Sequence, residues 1–477
     1  MFASPGGPSS PTMSARSSPR RALAPWIVAA AAVVMLFVSF GQRLPCTQSY
    51  RGPGGQLELN WGNDREFVYF CYSDVIALYG SDHIAGGGFP YKTSWLDGSH
   101  PRQVAYVEYP VLTGLLMWAG GRLAAGYGHI ASSLALPRPA AVVVYFDVIV
   151  VILAIAWLLV VGAVVRLMEP GSRHALMVAL SPLVLAQLYT NFDAVAIAFA
   201  TLALLAWARR RPLLAGVLLG LGGAAKLYPL LLLIPLLVLC LRAGRLRDGW
   251  RALGGAVLAW SAANAPIALL YPSGWAYFFH FNAVRAPGFE TLYNIVAYFL
   301  GVGLDRHLAA GQTPTAVNAL NLGLFAAACL VICLIALGAP RRPRLAPLCL
   351  LVVVAFVFVN KSYSPQYSLW LVPLAVLALP RWRLLVPWMT IDALLWIPTL
   401  LFQRGSAHGG IGEGWFLGAV ILRDVAVAVV CAFVIYEIYH PARDVLRRGG
   451  ADDACGGALD GAPDRVRLGR RGLTLAG

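Results

Sequence analysis

"YPVLTGLLMWAGGRLAAGYG", from Tyr109 to Gly128, is the stretch whose reading decides the fold. It is long enough to cross a bilayer, and whether it does is decided by where it leaves the later basic clusters. If it crosses, then Arg209–Arg211, "RAGRLRDGWR" (242–251), "RRPR" (341–344), "RWR" (381–383) and the basic C-terminal tail all fall outside the cell. That arrangement breaks the rule that basic loops stay cytoplasmic. If it lies flat in the interface, as an amphipathic helix does, every one of these clusters is cytoplasmic. The second reading is adopted, with the stretch as an interfacial helix of the outer face.

Composition sets the class. Of 477 residues, 59% are hydrophobic and 12% charged, about half the charged share of a soluble domain, roughly 25%. Apolar runs begin with "LAPWIVAAAAVVMLFVSF" and recur at about 140–164, 174–190, 193–208, 213–225, 227–241, 251–271, 315–338, 345–359, 365–379, 384–402 and 415–438. The expected fold is an all-α polytopic membrane protein, with about twelve transmembrane helices and a large first extracytoplasmic loop carrying interfacial helices. Residues 1–21 read as a disordered cytoplasmic tail and 22–440 as the membrane domain. The first external loop is 42–139, and 441–477 reads as a disordered basic cytoplasmic tail. The 213–241 region is too short for two full spans at about 20 residues each. It is expected to be a bent pair with Lys226 below the outer surface.

The net charge is +15, concentrated in short breaks between apolar runs. That pattern points to the lipid bilayer and its anionic headgroups, and there is no folded basic domain to bind nucleic acid. No Cys/His cluster has zinc spacing, so no metal is expected. "GLGGAAKLYP" lacks the spacing of a phosphate-binding loop and no D-x-D holds a nucleotide-bound metal. No cofactor is expected, and substrate activation by ATP or a nucleotide sugar is disfavoured. Cys46 and Cys71 share the long loop; if it is extracytoplasmic, a disulfide between them is expected.

The polar breaks "YTNFDA" (189–194), "KLYP" (226–229), 271–314, "NKSYSPQY" (360–367) and "FQRGSAHGGIGEGW" (402–415) all face outward on this topology. Chemistry gathered on one side argues for an outward-facing active site rather than a path through the membrane. Asp74, with Phe70, Tyr72 and Tyr79 near it in sequence, suits a general base beside aromatic rings that match sugar faces. It equally suits an N-cap for "VIALYG". The chain has three lysines, Lys92, Lys226 and Lys361. The last two stand at outer ends of apolar runs, either as anchors or as cations with a task.

One ordered set is more specific: Ser73-Asp74…Tyr79, Pro90-Tyr91, Glu108-Tyr109-Pro110, Asn191-Phe192-Asp193, Lys226-Leu227-Tyr228-Pro229 and Asn360 to Tyr367. In order and topology, from about residue 24 to 438, it resembles glycosyltransferase family 87. The resemblance implies the C-type membrane glycosyltransferase architecture. It also implies likeness to polyprenyl-phosphate-mannose-dependent α-mannosyltransferases of mycobacterial glycolipid synthesis, with an early aspartate matching Asp74. The partners implied are a polyprenyl-phosphate-sugar donor and a glycolipid or glycan acceptor at the plasma membrane. In that scheme Asp74 takes the acceptor proton. Lys361, Arg285 and Lys226 are candidates to meet the lipid phosphate. Tyr109, Asn360, Gln366 and Tyr367 belong to the substrate-binding motifs, and Glu108 and Asp193 are candidates to orient the acceptor. His280 is either a donor or proton shuttle or else an interface histidine, Arg285 either a phosphate ligand or a headgroup anchor, and Asp193 either a site residue or a cap. Transfer of arabinofuranose by the same fold, and a transporter or lipid flippase, are the rival readings.

Overall fold

The computed structural model describes residues 24–96, 104–169, 171–305, 308, 312–448, 452–469 and 472–475. The tail expected over 1–21 lies outside the described residues. The chain is predominantly helical, and its strands form only three two-stranded antiparallel pairs among the described residues. Among the described residues, six helices are long and apolar enough to cross a membrane: Pro25–Thr47, Ala141–Leu167, Leu246–Leu270, Thr315–Gly338, Trp382–Arg404 and Glu413–Tyr439. Five shorter apolar helices, Asp193–Ala208, Pro212–Ala225, Tyr228–Arg242, Leu345–Val359 and Pro365–Ala378, fill the centre. The 174–190 run is not one helix. Pro182 cannot continue the preceding turn, and the run divides into Leu176–Ala179 and Pro182–Gln187.

The short central helices explain why the site is one-sided. Helix Asp193–Ala208 rises about 24 Å at 1.5 Å per residue from Asp193 to the turn at Arg209–Arg211. Pro212–Ala225 packs against it and returns to Lys226. Leu345–Val359 starts beside Arg344 and ends at Asn360, and Ser368–Ala378 runs back toward Arg381. Asp193, Lys226, Lys361 and Tyr367 therefore share one end of the bundle, and the arginine turns occupy the other.

Small residues let these helices approach. A Cβ on Gly216 would lie 1.9 Å from the Ala252 carbonyl oxygen, and one on Gly220 would lie 2.3 Å from that of Ala256. Pro212–Ala225 and Leu246–Leu270 thus meet backbone to backbone, as small-residue stripes permit. The first helix breaks at Lys226, which is extended, before a 3-10 turn Tyr228–Leu232 and helix Leu233–Arg242. The 109–128 stretch lies mostly in the helix Val111–Ser133, which is not among the six long apolar helices. It packs on Ala141–Leu167 and Pro212–Ala225, with the Thr113 hydroxyl donating to the Ala225 carbonyl at 2.8 Å.

The long loop is a built structure. Its hairpin Ser49–Arg51/Leu57–Leu59 precedes the short helix Arg65–Val68 and helix Asp74–Ser81. Cys46 and Cys71 are joined by a disulfide, which ties the loop to the end of the first helix.

The segment after Pro441, read from sequence as disordered, is folded against the arginine end where it is described. Asp464 accepts from buried Arg242 at 2.6 and 3.0 Å and from Arg342 at 3.0 Å. Asp444 pairs with buried Arg344 at 2.7 Å, Asp453 accepts from the Leu345 amide at 2.9 Å, and the Trp207 indole donates to the Gly456 carbonyl at 3.0 Å. The net basic composition hides two aspartates, Asp444 and Asp464, placed to neutralise arginines that the helices bury. Asp464→Asn leaves the Arg242 charge without its counterion, which costs on the order of 1–3 kcal/mol. A lower thermal unfolding midpoint in detergent is expected, with the exposed Arg251–Asp248 pair as an indifferent control.

Candidate functional site

A polar cavity of about 590 Å³ opens among the loop helix Asp74–Ser81, the 190–191 and 226–228 segments, the 285–290 connection and the 360–367 turn. Asp74 is the first residue of its helix, and Ser73 stands at the cap position. The cap reading of Asp74 is therefore set aside, because its carboxylate lines the cavity instead. Two bonds fix its backbone to the opposite segment: the Asp74 amide donates to the Thr190 carbonyl at 2.8 Å, and the Ser73 hydroxyl donates to the Tyr189 carbonyl at 2.7 Å. Arg43, fully buried at the end of the first helix, donates to the Tyr72 and Ala186 carbonyls and to the Thr190 hydroxyl.

Asn191 orients the carboxylate. One amide hydrogen goes to Asp74 Oδ2 at 2.7 Å and the other to the Tyr109 hydroxyl at 2.8 Å, while its carbonyl accepts from the Phe192 amide. The Tyr72 hydroxyl also bonds the carboxylate, and Gln366 Nε2 lies 3.5 Å from Oδ2. Burial pushes the Asp74 carboxyl above its ordinary range, against the opposing pull of Asn191, Tyr72 and Lys226. Glu108 lines the same cavity, and burial raises it to about 7 in spite of nearby Arg285.

The basic candidates separate by what they touch. Lys226 donates to Asp193 Oδ1 at 2.8 Å, and its ammonium lies 5.0 Å from the centroid of the Tyr367 ring. Asp193 also accepts from the Trp370 indole at 2.6 Å, is buried, and does not line the cavity. It is the counterion of Lys226. Tyr367 stacks on Trp370 and Trp370 on Tyr228, at centroid separations of 4.2 and 4.3 Å.

Lys361 also lines the cavity, with its ammonium already occupied. Its Nζ donates to the carbonyls of Asn282, Ala283 and Arg285 at 2.8, 3.1 and 2.9 Å. An ammonium has three donors, and all three are spent on the C-terminal end of helix Pro272–Val284, where a cation also meets the helix dipole. A phosphate would have to displace them. The Asn360 side chain accepts from the Lys361 amide at 2.9 Å and shapes the turn. Arg285, just past that helix end, makes no side-chain hydrogen bond among the described residues and lies 5.9 Å from the Phe281 ring centroid.

Next to the polar cavity runs an apolar groove of about 1170 Å³, lined by residues such as Val296, Leu320, Leu324 and Phe358. The two spaces share Phe281 and Arg285. His280 lines the groove and not the Asp74 cavity, so it is not within the polar cluster where the sequence reading would have put a proton shuttle.

The sequence profile of glycosyltransferase family 87 matches residues 106–360, more than half of the chain. The chain belongs to glycosyltransferase family 87. It is accordingly a membrane glycosyltransferase, with Glu108, Tyr109, Asn191, Lys226, Arg285 and Asn360 inside the matched region. The match begins after Asp74, whose place in a family 87 site rests on the geometry above. No curated protein matches the chain.

Several cavity residues went unassigned in the sequence. Asn191 carries only a weak local signal, an amide two residues before an aspartate. Trp396, Thr399 and Gln403 line the cavity at helical spacing i, i+3, i+7, a pattern that an apolar-run reading passes over. Glu290 lines it too, from a connection with no regular pattern.

Proposed function

We propose that this family 87 enzyme moves a hexose, mannose by the resemblance, from a polyprenyl phosphate to a glycolipid or glycan acceptor. The site is placed on the extracytoplasmic face of the plasma membrane, with about twelve crossings and the arginine turns inside. Asp74 in a polar cavity that joins an apolar groove at Arg285 is the observation that carries this reading. The groove suits a prenyl chain, and the junction puts a cation where the chain ends in phosphate.

The acceptor hydroxyl attacks the anomeric carbon while its proton passes to the Asp74 carboxylate. The new C–O bond forms as the bond from that carbon to the phosphate oxygen breaks. The polyprenyl phosphate leaves with the electron pair, and Arg285 stabilises the charge that grows on it. Asn191 and Tyr72 hold the base, and Glu108 faces the same space. Gln366, whose Nε2 lies 3.5 Å from the Asp74 carboxylate, and Tyr367 line the same cavity.

Purified protein in liposomes, given radiolabelled polyprenyl-phosphate-mannose and bacterial glycolipid extract, is expected to release polyprenyl phosphate and label a glycolipid. GDP-mannose is expected to give neither. Use of polyprenyl-phosphate-arabinofuranose in preference to mannose would reassign the sugar, and no consumption of any lipid-linked sugar would overturn the reading.

A further inference from the structure

We propose that one face of helix Trp396–Arg404 is the acceptor subsite and that it takes a neutral carbohydrate group. The proposal rests on the glycosyltransferase reading above and names the acceptor class within it. Trp396, Thr399 and Gln403 stand at i, i+3 and i+7, so they fall on one side of the helix, and all three line the polar cavity. None lines the apolar groove. The cavity thus has a lipid-facing corner at Phe281 and Arg285 and, separately, a polar wall on this helix.

That wall is rigid. The Trp396 indole donates to the Phe70 carbonyl at 2.9 Å, and Arg43 lies 5.5 Å from its ring centroid. Phe402 stacks on Phe416 at 4.7 Å and meets Phe289 at 5.2 Å, which joins the helix to the connection carrying Glu290. Arg423, fully buried, donates to the Tyr363 and Glu290 carbonyls at 3.2 and 3.1 Å and so clasps that connection to the 360–367 turn. Glu290 and Gln403 present a carboxylate and a carboxamide, with an indole between them and Asp74's loop. Trp396 is itself buried and backs the wall, while the exposed Gln403 carboxamide and the half-buried Glu290 carboxylate supply the donors and acceptors that the hydroxyls of a polyol require.

Charge decides against an anionic group. Lys226 is neutralised by Asp193, Arg404 by Asp64, and Arg423 by Asp424. Lys361 is committed to carbonyls. Arg43, fully buried behind Trp396, spends its donors on the Tyr72 and Ala186 carbonyls and the Thr190 hydroxyl and does not line the cavity. Arg285 belongs to the lipid corner, and Glu290 repels anions from the rest. A phosphorylated or sulfated acceptor sugar would meet carboxylates with no opposing charge.

The test uses full-length protein carrying Gln403→Cys, labelled with a membrane-impermeant maleimide, with the unsubstituted protein as the background. Octyl mannoside or octyl glucoside is expected to slow labelling at least fivefold, and octanol or octyl phosphate is expected to leave it unchanged. Equal protection by octyl phosphate, or no protection by either glycoside, overturns the proposal. A kinetic arm reads transfer from polyprenyl-phosphate-mannose to octyl mannoside. Gln403→Ala and Glu290→Gln are expected to raise the acceptor KM about tenfold, with the donor KM within twofold of the parent, and the reverse split overturns the assignment. If no lipid-linked sugar is consumed but glycosides still protect, the transfer reaction fails while the carbohydrate subsite stands.

Discussion

Asp74→Asn is expected to abolish sugar transfer while the protein still inserts and unfolds at its ordinary midpoint. The carboxamide has the shape of the carboxylate and its oxygen still accepts from Asn191, so the contacts that fix the loop to Thr190 and Tyr189 persist. What it lacks is the ability to take the acceptor proton. Loss of a general base costs about 10²–10⁴ in rate, and the loss should appear in kcat with little change in donor KM. Asn191→Ala tests the same base by its pH profile. Burial already raises the Asp74 carboxyl, and the Asn191 hydrogen bond lowers it. Without that bond the base protonates at higher pH, so the acid limb of kcat/KM is expected to move upward while the rate at high pH is largely kept. Near-parent turnover of Asp74→Asn would make Glu108, raised to about 7 in the same cavity, the leading base.

The residues divide by how far their roles can be read locally. Membrane class and the apolar runs follow from composition, because each span writes about 20 consecutive apolar residues. Asp74, Arg285 and Tyr109 stand out because a polar group between apolar runs is costly to keep without a partner or a task. The roles of Asp193 and Lys361 were not legible. Whether a charge faces a cavity or a counterion depends on contacts 33 residues away for Lys226–Asp193, and 76 to 79 residues away for Lys361 and the helix end it caps. Sequence order carries no such distance. The fold of the C-terminal segment was hidden for the same reason. Asp464 reads as one acid among many basic residues until Arg242, 222 positions earlier, is found buried beneath it.

Arg285→Gln is expected to lower kcat with the polyprenyl-phosphate donor by about 10²–10³, the scale of removing one preorganised charge stabiliser from a transition state. The guanidinium stands where the groove and the polar cavity meet and spends no hydrogen bond on the protein among the described residues, so its donors are available to the leaving phosphate. Arg285→Lys keeps a point charge but not the planar fork that grips two phosphate oxygens, and partial activity is expected. Lys361→Gln reaches the same corner by a different route. Burial and the nearby Arg285 charge pull Lys361 down to about 8, yet its three carbonyl partners hold the Arg285 backbone in place. A carboxamide has two donors and cannot fill three carbonyls, so the corner loosens and transfer falls less than in Arg285→Gln. Lys361→Arg is not expected to rescue it, because a flat fork does not match three converging acceptors. The deciding comparison is kcat for the two glutamine variants at saturating donor. Near-parent kcat for Arg285→Gln with collapse in Lys361→Gln would show that the lysine leaves the helix end to bind the phosphate.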